Sequence, residues 1–73
     1  MKNLKQSLLA AHHKLVLSGE YLAARKVLYL LIHGQLVLGL SDNDWAAEMA
    51  LEEVGITGFS NKRGTLNHFY LKG

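Results

Sequence analysis

Cysteine does not occur among the 73 residues, which excludes disulfide staples and thiolate metal sites and is compatible with a reducing compartment. Long apolar runs are missing too. The longest apolar-rich stretch, Val27 to Leu40, is 14 residues and is broken by His33, Gly34 and Gln35, too short and too polar to span a bilayer of about 30 Å. No membrane span is expected. The N-terminal stretch MKNLKQSLLAAHHKLVLSG has a basic start, as signal peptides do, but paired histidines and a lysine interrupt what would be its apolar core. It reads as mature sequence, with the cytoplasm as the expected location.

The usual signatures of catalysis are absent as well. There is no Gly-rich phosphate loop, no serine in a nucleophile elbow and no cysteine nucleophile. Four histidines are present, His12, His13, His33 and His68, but His12 and His13 are adjacent. On a helix they project about 100° apart and cannot chelate one ion together. The expectation is a non-enzymatic protein with no cofactor and no metal.

What remains is an ordinary folding composition, 49% apolar with one Trp, in a chain whose length allows a single domain over residues 1–73 with a thin stability margin. The net charge of +2 is small, yet it is unevenly placed. Residues 1–40 hold five cations and one acid, Glu20; residues 41–59 hold five acids and no cation; residues 60–73 hold three cations and no acid. An acidic block sits between two basic ends.

Periodicity predicts a mainly helical fold. From Lys2 to Ser18, Leu4, Leu8, Ala11 and Leu15 recur at helical spacing, and Gly19 is a natural terminator. A second helix is expected from about Glu20 to His33, ending near Gly34. Its apolar residues, among them Leu22, Val27, Leu28, Leu30, Leu31 and Ile32, surround nearly the whole cylinder. So short a chain has too few elements to cover such a helix, which makes a homodimer the expected state.

Ser41 is placed to cap a third helix, DNDWAAEMALEEV, with Asp42 and Asp44 where the helix dipole favours negative charge and Gly55 at its end. Ala47, Leu51 and Val54 form an inward face, while Trp45 and Met49 lie on a different side. That pair is either an edge of the core or an anchor for a protein partner, rimmed by Glu48, Glu52 and Glu53. The run QLVLGL (35–40) is ambiguous between a short strand and a continuation of the second helix.

The C-terminal stretch NKRGTLNHFYLKG leaves two geometries open. Either ITGF and TLNHFYL are strands of a β-hairpin joined by the five residues SNKRG, or Ser60 caps a fourth short helix in which Gly64 costs about 1 kcal/mol. In both, Lys62 and Arg63 are presented to solvent; as a functional site they would contact phosphates, with Asn67 or His68 near base edges.

Two resemblances bear on function. LVLSGEYLAARKVL is similar to the turn of a tetratricopeptide unit, with Gly19, Tyr21 and Ala24 packing the hairpin, but no second copy follows and a helical array is excluded. The longer pattern of Ala11, Gly19, Tyr21, Ala24 and then NDWAAEMA, covering about residues 8–50, resembles small bacterial regulators of the ANR and PerC type. Such proteins modulate transcription of virulence or mobile-element genes. Separately, VGI followed by KRGTLNHFY resembles the helix-turn-helix end of TetR-type repressors, with the residues TGFSN interrupting it.

Both resemblances imply gene regulation. Two mechanisms follow: modulation of an unknown regulatory protein partner through Leu28, Leu31, Trp45 and Met49, or direct DNA binding through Lys62, Arg63, Asn67 and His68. The acidic third helix cannot lie in a DNA groove, so the second mechanism requires the C-terminal segment alone to dock.

Overall fold

A computed structural model describes residues 4–60, 64 and 66–71. Three helices and a small antiparallel sheet follow in the order α1 (Leu4–Leu17), α2 (Tyr21–His33), β1 (Gln35–Leu38), α3 (Asp42–Glu53), β2 (Phe59–Ser60) and β3 (Asn67–Tyr70). The fold is mainly α with C-terminal strands, as the periodicity predicts. Residues Lys2 and Lys62, Arg63 and Lys72 lie outside the described residues.

The helices begin and end where local chemistry directs. Ser41 adopts an extended conformation and its hydroxyl accepts a hydrogen bond from the Asp44 N–H at 3.1 Å, satisfying one of the orphan donors of the first turn. α2 starts one residue later than its pattern suggests, because Glu20 stands at the N-cap without a side-chain hydrogen bond. α1 and α3 terminate in the same way. After α1, Gly19 N–H bonds Val16 C=O at 3.0 Å and Glu20 N–H bonds Leu15 C=O at 2.9 Å; after α3, Gly55 N–H bonds Glu52 C=O at 3.0 Å and Ile56 N–H bonds Leu51 C=O at 2.9 Å. Both glycines have positive φ, 77° and 84°, the left-handed conformation this closing motif needs.

The ambiguous run QLVLGL supplies β1 from its first four residues, Gln35–Leu38. β1 and β2 flank β3, giving the strand order β1-β3-β2 with both pairings antiparallel. Gln35, Leu36, Val37 and Leu38 lie opposite Tyr70, Phe69, His68 and Asn67, and Phe59 and Ser60 lie opposite His68 and Asn67. The C-terminal stretch is therefore the hairpin, not the fourth helix, but it is shorter than ITGF and TLNHFYL suggest. Ile56 is drawn inward by the closing motif of α3 and buried, so the strand cannot start there.

Alternation sorts the sheet into two faces. Leu36, Leu38 and Phe69 are buried against the helices, together with Leu8, Ala11 and Leu15 of α1, Ala23, Ala24, Val27 and Leu30 of α2, and Ala47, Ala50 and Leu51 of α3. Val54, expected on the inward face of α3, is only partly buried but packs against this cluster. Leu4, by contrast, lies on the exposed end of its stripe.

Candidate interaction surfaces

α2 buries Ala23, Ala24, Val27 and Leu30 and turns the rest of its apolar circumference outward. Leu22, Tyr29 and Ile32 are exposed. With Leu28 and Val37 they line an open groove of about 790 Å³ between α2 and β1, bordered by Arg25 and Lys26. Tyr29 and His33, one helical turn apart, pack their rings with centroids 4.1 Å apart. Of the two α2 leucines singled out from the sequence, Leu28 lines the groove, whereas Leu31 packs against the core.

α3 presents the second surface. Trp45 and Met49 are both exposed and form a ridge between two shallow depressions. One is lined by Leu40, Glu48, Glu52 and Leu66, the other by Lys14, Ser18, Ala46 and Glu53. The expected acidic rim is divided by this geometry. Glu48 accepts a hydrogen bond from the Asn67 amide and Glu53 pairs with Lys14, which leaves Glu52 as the rim residue most open to a partner.

The ridge is held in place by a residue that the sequence pattern assigned only to the helix dipole. Asp44 is buried at the start of α3, where one carboxylate oxygen accepts from Lys26 Nζ and the other from the Gly39 N–H at 2.9 Å. Burial by itself pushes the Asp44 carboxyl up; hydrogen bonds from Lys26, Gly39 and Ser41 and the charge of Lys26 outweigh it and hold the pKa below the ordinary aspartate value. Asp44 thus ties α3 both to α2 and to the turn after β1. The Lys14–Glu53 pair, by comparison, is half exposed and contributes at most about 1 kcal/mol.

Asn67 and His68, grouped with Lys62 and Arg63 by the sequence, are separated by the pleat of β3. Asn67 faces inward, its Nδ2 donating to Glu48 Oε1 while its Oδ1 is buried and accepts no hydrogen bond from the described residues. His68 faces outward, with its ring parallel to that of Tyr70. Phe59 and Tyr70, exposed on the same outer face, were not singled out from the sequence. The i, i+2 spacing of His68 and Tyr70 was a usable signal, but the place of Phe59 beside them depends on strand register.

Among the described residues no helix is long and apolar enough to cross a membrane, and no three His, Asp or Glu side chains are grouped so as to hold a metal ion. No family model, curated protein or solved structure matches the chain.

Proposed function

We propose that this chain is a small non-enzymatic regulator that modulates gene expression or a partner protein through protein–protein contacts, as a homodimer assembled on the α2 face. One observation carries the reading. Of the six aromatic side chains, Phe69 alone is buried, while Tyr21, Tyr29, Trp45, Phe59 and Tyr70 are each between 49% and 70% exposed. Aromatic residues and Met are enriched in the cores of interfaces, and truncating a buried aromatic anchor often costs about 2 kcal/mol or more of binding. In this reading the α2 groove takes the second copy and the Trp45–Met49 ridge, with Glu52 beside it, takes a partner carrying basic groups. The resemblance of residues 8–50 to ANR- and PerC-type regulators supports the same role.

Capture of partners from a bacterial lysate, with and without nuclease, tests the reading. The expected result is a nuclease-resistant partner that Trp45→Ala and Met49→Ala release while circular dichroism stays unchanged, and sedimentation of a dimer at micromolar concentration that Leu28→Glu disrupts. A monomer at tens of micromolar overturns the dimer. Regulation that survives loss of Trp45 and Met49 overturns the partner role of the ridge.

Direct DNA binding is the second reading. It is favoured by the sequence position of Lys62 and Arg63 between two paired strands, in a 14-residue stretch free of acids. It predicts that Lys62→Ala with Arg63→Ala lowers both affinity and its salt slope, by about one counterion per lost contact.

A further inference from the structure

The outer face of the sheet carries a set of side chains apart from the Trp45–Met49 ridge, one of which, Val37, also lines the α2 groove. His68 and Tyr70 stand there with ring centroids 6.4 Å apart and planes within 6° of parallel. Register sets Val37 and Phe59 on either side of His68 and Gln35 beside Tyr70. Phe59 is 70% exposed and Tyr70 57%. The helices cover the opposite face, where Leu36 and Phe69 are buried. None of the five outer positions is acidic, and the stretch that supplies β3, residues 60–73, carries three cations and no acid.

Parallel rings on an open sheet, Tyr70 exposed and His68 half-buried, suit flat ligands, and every nucleobase offers a flat face. The 6.4 Å between the rings is close to twice the ~3.4 Å rise of stacked nucleotides, so neighbouring bases reach both rings only from an unstacked, extended strand. A duplex keeps its bases stacked and hidden from such a surface. We propose that this face binds single-stranded nucleic acid, its bases stacking on Tyr70, His68 and Phe59 and the Gln35 amide meeting a base edge. The site goes beyond the protein-contact reading and does not depend on it. It also differs from a groove-reading role for Asn67, whose amide is turned inward to Glu48.

Fluorescence anisotropy of a labelled oligothymidylate of about ten nucleotides, within the usual range of single-strand sites, tests the proposal on the full chain, with a duplex of the same length as the comparison. The single strand binds, more tightly than the duplex, and its affinity falls as salt rises. Phe59→Leu and Tyr70→Leu keep apolar bulk at exposed positions but remove the ring, and each weakens binding about five- to a hundred-fold with unchanged circular dichroism. Tyr70→Phe retains binding. Absence of oligothymidylate binding at low salt, equal affinity for the duplex, or full binding by the Leu variants overturns the proposal. So does an oligomer that these variants dissociate while the oligonucleotide fails to bind, which makes the face a protein interface instead.

Discussion

The interior and the surface of this protein divide the apolar residues by size in an unusual direction. Among the described residues, five of the fourteen buried apolar ones are alanines, Ala11, Ala23, Ala24, Ala47 and Ala50, and they come from all three helices. Tyr21, Tyr29, Trp45, Phe59, Tyr70 and Met49, among the largest side chains available, stand outside. Small residues between helices let the backbones approach closely, since interaxial distance follows the side chains at the contact. Bulk kept at the surface adds little to stability but is what an interface core uses. In the proposed reading stability and recognition reside in different residues, and mutations should separate them.

The strongest way to break the interior is through its one large aromatic. Phe69 is 1% exposed on the central strand, and Phe69→Ala should cost about 3–5 kcal/mol, much of the stability of so small a chain. Urea denaturation should show most molecules unfolded or a midpoint near zero denaturant.

A smaller break comes from adding one carbon where the interior has no room. A Cβ on Gly58 would stand 2.8 Å from Asn67 Oδ1 and 2.9 Å from Phe69 Cζ, so Gly58→Ala should destabilise by about 1–3 kcal/mol. Phe69→Leu in the same molecule should relieve part of that loss. Additive losses in a double-mutant cycle would show that the two sites do not touch.

Asp44 supplies a pH-dependent break. Its carboxyl is held below the ordinary value in the folded state, so it contributes stability that is fully present above the unfolded value of about 3.9 and is lost as pH falls through the folded value. Between pH 5 and pH 2 the urea midpoint of the native protein should fall more steeply than that of Asp44→Asn. Parallel profiles would remove Asp44 from the account.

The smallest effect on stability is expected outside. Trp45→Ala, at a position 54% exposed, should change unfolding free energy by within about 0.5 kcal/mol, although it should weaken partner binding by roughly 2 kcal/mol or more. A large destabilisation would place Trp45 with the interior and undo the contrast.

Local signals carried much of the fold. The Ser41 cap, the glycines closing α1 and α3, and the inward set Ala47 and Leu51 all rest on neighbours within one or two turns, and each is found in the structure. β1 was ambiguous because four residues are too few for a period to declare itself. Its assignment depends on β3, some thirty positions away, and no local pattern encodes that partner. Asp44 stands in the first turn of α3 as expected, but its further role was hidden for a similar reason. A carboxylate in the first turn of a helix suits the dipole wherever it is exposed, and only the approach of Lys26 and the Gly39 N–H turns it into a buried tie. Only one grouping of the candidate residues was legible: Trp45 and Met49 do form one ridge, whereas Leu28 and Leu31 part company, and Asn67 and His68 fall on opposite faces of a strand.

The strand order has a consequence for the time course of folding. α1 and α2 are neighbours in sequence and pack on each other, so their contacts need only a short loop and can form early. The sheet is different, because its central strand comes after both of its edges in the chain. During synthesis, Leu36 and Leu38 emerge well before Phe69 and Asn67, which lie opposite them on the neighbouring strand, and the Leu71 N–H that bonds Gly34 C=O at 2.8 Å comes later still. The helical hairpin can thus assemble co-translationally while β1 waits as an unpaired hydrophobic edge, and the interval until β3 arrives is when this chain is most open to mispairing with another copy of itself.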